Sequence, residues 1–92
     1  MPQIFRFGDY WIYFWTNENK PLEPVHVHIA KGAPTAKATK IWITSSGNCL
    51  LCNNNSCIPS HALRNMMRMI EARHDDVIYA WIKYFGEIRY YC

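Results

Sequence analysis

No stretch of the 92 residues stays apolar long enough to cross a bilayer, and Asp9 arrives before any signal-peptide core could build up. The chain has no block of like charge, no internal repeat, no low-complexity segment and no linker that would divide it. Acidic residues are few, seven against ten Lys and Arg, for a formal charge of +3. That charge permits nucleic-acid contact but falls short of the dense basic stripe of a dedicated binder. No serine–histidine arrangement, paired carboxylates or phosphate-binding loop is present, so the commoner hydrolase and nucleotidase chemistries have no signature here. These absences lead to the expectation of one cytoplasmic domain without a membrane segment, in a compartment where thiols stay reduced.

What is abundant is apolar and aromatic. Half the residues are hydrophobic, with four Phe, four Trp and six Tyr, so a packed core is expected and disorder is not. Residues 1–92 make a single domain close to the size at which a core alone suffices, and small scaffolds often add a staple.

Period-2 patterning dominates the first half. Ile4–Phe7 and Tyr10–Trp15 flank the turn-compatible pair Gly8-Asp9 and predict a hairpin. Both faces of Tyr10–Trp15 are apolar, so that strand is expected to be central or covered on both sides. Thr16–Pro24 reads as a loop. Val25, Val27 and Ile29 alternate with His26, His28 and Ala30 in a half-buried strand that breaks at Lys31-Gly32-Ala33-Pro34. Ala36–Ile43 is the next strand, Thr44–Asn48 a turn, and Cys49–Cys52 a short fifth strand or a knuckle. The pattern then becomes helical. Ser60 is the expected N-cap of a helix carrying Leu63, Met66, Met67 and Ile70 on one stripe. Asp75 caps a second helix with Val77, Ile78, Trp81, Ile82 and Phe85, which Gly86 stops, and Glu87–Cys92 is a last extended segment. The fold class expected is α+β: a small antiparallel sheet of four or five strands, then two C-terminal helices packed on one face.

Cys49, Cys52, Cys57 and His61 lie within thirteen residues, at a spacing Cys-x2-Cys-x4-Cys-x3-His compact enough for a tetrahedral Zn²⁺. Cys49 and Cys52 in one regular strand would point to opposite faces, so a shared site needs a tight knuckle, with Asn53-Asn54-Asn55 turning the chain. If His61 points away, His26, His28 or Cys92 could serve as the fourth ligand.

His26 and His28 share one strand face and could bind metal, shuttle protons or contact phosphate, with Arg6 or Lys40 stabilising charge in a nuclease. The plainer alternative is two hydrogen-bonded strand histidines. Arg64 and Arg68 sit one turn apart on a helix and could meet phosphate or an acidic partner, with Tyr90 and Tyr91 as aromatic anchors.

Met-Pro-Gln-Ile-Phe-Arg-Phe-Gly-Asp-Tyr, Glu-Pro-Val-His-Val-His-Ile, Ala-Thr-Lys-Ile-Trp-Ile-Thr and Ala-Trp-Ile-Lys-Tyr-Phe-Gly, taken together, resemble the bacterial domain-of-unknown-function family 4160. The resemblance implies an origin in toxin–antitoxin-like operons, mobile elements or phages. The family pattern does not require Cys52 and Cys57, so zinc would belong to this branch alone. The expectation that follows is a non-enzymatic, zinc-stabilised inhibitor with no catalytic residue. Its partner would be a nucleic-acid-processing protein such as a CRISPR effector nuclease, as in zinc-containing anti-CRISPR proteins. The alternative is a ribonuclease-type toxin using His26 and His28.

Overall fold

The computed structural model describes residues 3–15, 23–32 and 37–92. Strands β1 (Gln3–Phe7) and β2 (Tyr10–Tyr13) join through Gly8-Asp9, where Gly8 at φ 59° supplies the left-handed backbone that a two-residue hairpin demands. Strands β3 (His26–Lys31), β4 (Thr39–Ile43) and β5 (Cys49–Asn53) continue an all-antiparallel sheet in the order β1-β2-β3-β4-β5. Helices α1 (Ser60–Ala72) and α2 (His74–Phe85) follow. The α+β expectation holds, with five strands.

Alternation decides what the helices cover. Ile12, Phe14, Val27, Ile29, Ile41 and Ile43 pack against Leu63, Met66 and Ile70 of α1 and Val77 and Trp81 of α2. Each such side chain contributes about 1.5–3 kcal/mol when fully buried. On the other face Tyr13, Ala30 and Ala38 are buried beside Trp11 and Trp15, so β2 is covered on both sides as its sequence implied.

Several boundaries move. The strand read from Ala36 begins at Thr39, with Lys37 in a turn and Ala38 between them. Residues 16–22 of the Thr16–Pro24 loop, and residues 33–36, lie outside the described residues. Ser60 is the first helical residue, not the cap; Pro59 holds the cap position at φ −54°, and no side chain caps α1. Proline, already fixed near that φ, starts the helix without a hydroxyl. Asp75 and Asp76 lie in the first turn of α2 after Arg73, where they complement the helix dipole without capping. Gly86, at φ 76°, ends α2 as predicted. The tail beyond it forms no strand, but Arg89 O accepts from Val25 N and Cys92 O accepts from Ser45 N, so it straps the sheet end.

Candidate functional site

Cys49 and Cys52 both lie in β5, so the knuckle is absent. In the β4–β5 ladder Lys40 pairs with Asn53 and Ile41 with Leu51, which leaves Cys52 as the extra residue of a bulge. Cys49 turns toward α1: its Sγ donates to Met67 O at 3.6 Å, and its backbone N donates to Glu71 Oε2 at 2.9 Å. Burial, then the Glu71 carboxylate, pushes this thiol up to about 12. The next turn is occupied by other chemistry. Asn54 Oδ1 accepts from Thr39 Oγ1 at 2.8 Å and from Ile58 N at 3.1 Å. Ser56 Oγ accepts from Thr39 N at 3.1 Å and donates to Ile29 O or Lys37 O. Cys57 is exposed at φ 53°, and His61 is exposed beside Asn65 Nδ2 at 3.5 Å. Cys92 is exposed in the tail.

No group of three or more His, Cys, Asp or Glu able to hold a metal forms among the described residues. The loop that spacing suggested as a metal knuckle is a polar plug tying β3 and β4 to the start of α1.

The histidines are brought together. His26 and His28 meet edge to face with ring centroids 4.9 Å apart, on the sheet face shared with Tyr13 and Trp42. His26 is fully buried, its Nδ1 is 2.8 Å from Pro24 O, and its ring packs against Trp42 and Trp81. A carbonyl can only accept, so Nδ1 carries the proton and donates. His28 is half-buried, lies against Tyr13, and pairs across the ladder with Lys40. Lys40 in turn bonds Glu23 Oε1 at 2.8 Å and sits 4.3 Å over the Trp42 ring, so its charge is already countered. Arg6 lies over Trp11 at 5.3 Å.

Arg64 and Arg68 are exposed on one side of α1, together with Ser60, Leu63, Met67 and Glu71, around a shallow groove of about 410 Å³. Neither makes an ion pair among the described residues. Tyr90 is exposed; Tyr91 is exposed too, yet it stacks on Trp42 at 4.9 Å and 5°, so it closes the molecule instead of offering a free anchor.

Sequence reading missed the joint role of Thr39, Asn54, Ser56 and Glu71: the bonds Thr39–Asn54, Thr39–Ser56 and Cys49–Glu71 span 15, 17 and 22 positions and leave no local spacing to detect. Trp42 was within reach of it, because alternation in β4 places Trp42 and Lys40 opposite His26 and His28. No helix among the described residues is long and apolar enough to cross a membrane. No curated protein and no solved structure matches the chain. The profile described as a domain of unknown function, DUF4160, matches residues 9–82; that span contains the His-Val-His block, the cysteine window and most of α2, and leaves the opening peptide outside. The chain belongs to the DUF4160 family.

Proposed function

We propose that this protein acts by occupation, not turnover: it binds a macromolecular partner in fixed stoichiometry and blocks it. The observation that carries this reading is the state of His26. A general acid or base must reach the reacting atom, and His26 is fully buried with one ring nitrogen engaged by Pro24 O. Lys40, the natural charge-stabiliser on that face, is held by Glu23 and Trp42. Arg64 and Arg68, on the opposite side of the sheet, are exposed and make no ion pair among the described residues, which supports their use as partner contacts. The form of the proposal to test first is inhibition of a nucleic-acid-processing enzyme of bacterial or phage conflict, such as a CRISPR effector nuclease.

Titration of such a nuclease, in the presence of its nucleic-acid substrate, should reach full inhibition at one equivalent. Loss of substrate or nuclease over many turnovers at sub-stoichiometric protein would overturn the proposal. A ribonuclease reading keeps one foothold, because His28 is half-buried and faces Lys40 across the ladder. It requires RNA cleavage that His28→Ala abolishes while the melting temperature holds.

A further inference from the structure

Strand β5 is an edge of the sheet, and its sequence Cys-Leu-Leu-Cys-Asn carries no charge and no proline. Natural sheets guard such an edge with charge, proline, bulges or a covering element, because unpaired backbone groups invite another strand. On β5 the bulge at Cys52 and the Glu71 carboxylate on Cys49 N guard the two ends, and the backbone of Leu51 between them is left open. Leu50 and Leu51 are 43% and 41% exposed on it. The other edge, β1, carries the exposed Arg6.

The direction of the unpaired groups follows from Cys49. Its N–H points at Glu71 Oε2 instead of β4, so alternation turns the N–H and C=O of Leu51 outward on the same side. The Cys49 side chain faces α1, reaching Met67 O, and Leu51 shares that face. Helix α1 runs back along β5, from Ser60 just after the polar plug to Glu71 at Cys49, and presents Leu63, Arg64, Met67 and Arg68 between them. The result is an apolar floor beside the part of the strand edge around Leu51, with two guanidinium groups along one side that make no ion pair among the described residues and a carboxylate at the far end.

We infer that this edge receives an extended acidic segment of a partner protein, added alongside β5 with its carboxylates toward Arg64 and Arg68. Main-chain bonds would supply affinity and the arginines selectivity, the division of labour seen when a peptide extends a sheet. Glu71 sets polarity: the partner's acids concentrate toward the Ser60 end of the groove, where α1 has no acidic residue in its first turn. A second copy of this chain is a poor occupant. Its acids are scattered singly except for Asp75-Asp76, and those lie in helix α2.

The inference rests on the occupation reading, and its test separates the two. The full chain is titrated with a short peptide alternating valine and glutamate, with its valine–lysine counterpart, and with single-stranded oligothymidine, while backbone amide shifts are followed. The acidic peptide should bind, with shifts confined to residues 49–53 and 60–71. Reversing both charges in Arg64→Glu/Arg68→Glu should weaken it about tenfold or more with the fold intact, since both side chains are exposed. Equal binding of the lysine peptide, or no shift with either peptide, overturns the inference. Oligothymidine binding at the same residues assigns the arginines to phosphate, and concentration-dependent dimerisation through β5 assigns the edge to a second copy; either result also overturns it. Stoichiometric inhibition that survives the double charge reversal leaves the occupation proposal standing while this inference falls.

Discussion

A thiol becomes a nucleophile or a metal ligand only by losing its proton. Cys49 keeps its proton to about 12, first because burial disfavours the thiolate and then because Glu71 repels it. At neutral pH, mass spectrometry after brief iodoacetamide treatment should therefore find Cys52, Cys57 and Cys92 labelled and Cys49 not, and unfolding should expose all four. The same shift fixes a pH window. The unfolded thiol ionises near its ordinary value of about 9.0, and the folded one near 12. Because the folded value is raised, the contribution is complete below pH 9 and is lost as pH climbs toward 12, which denaturant midpoints in that range would register. For His26 the expectation is structural. His26→Ala removes a fully buried ring from contact with His28, Trp42 and Trp81 and should cost about 2–4 kcal/mol. A urea midpoint equal to that of the parent protein would return this residue to the catalytic candidates.

Elements show how far the sequence could be read. Strand alternation, the helical stripe and Gly86 were legible because each is a local pattern: Val27 and Ile29 face the helices, and Leu63, Met66 and Ile70 fill α1's buried side. The knuckle expected at the cysteine window did not form, for the opposite reason. Its spacing looked like a ligand set, but β5 runs straight through Cys49 and Cys52, and Asn54 and Ser56 are committed to Thr39 and Ile29 at sequence distances no spacing rule can see. The loop's stability should therefore depend on those polar groups and not on metal. Asn54→Ala leaves Thr39 Oγ1 and Ile58 N without their acceptor and should cost about 1–3 kcal/mol. A chelator should leave the melting temperature unchanged; a fall in that temperature, with one zinc per chain by elemental analysis, would restore the metal site. The β4–β5 turn makes a sharper demand. Gly47 sits at φ 89°, and a Cβ there would lie 2.8 Å from His74 Nε2 at the junction of the helices. His74 is itself held at Glu71 O by a 2.9 Å bond. Gly47→Ala therefore combines backbone strain with a clash against a ring that cannot easily retreat, for about 2–4 kcal/mol by chemical denaturation.

At the scale of the molecule, the last strand pairs only with β4 among the described residues, and both helices sit on one face, so the opposite face must be closed by other means. Part of that closure is the tail. Arg89 O takes the N–H of the fully buried Val25, Cys92 O takes that of Ser45, and Tyr91 lies flat on Trp42, which packs against His26. The tail thus ties α2 to the face that carries the histidines, and the order of that face depends on residues that form no regular element. Ending the chain at Glu87 strands the Val25 donor in an apolar setting and uncovers one face of Trp42. An unsatisfied buried donor costs about 1–3 kcal/mol, and a lost aromatic stack about 0.5–1.5 kcal/mol beyond its area. Together these are a large share of the roughly 5–15 kcal/mol that holds a domain folded. At about 4–8 °C per kcal/mol for a domain of this length, the shortened chain should melt on the order of 10–30 °C lower. Tyr91→Phe keeps the ring and the strap, so it should melt like the parent, whereas Tyr91→Ala should lose only the stacking part. Thermal unfolding followed by tryptophan fluorescence and by circular dichroism checks the series. If the shortened chain melts unchanged, the tail is an ornament, and the buried state of His26 must be owed to the sheet and α2 alone.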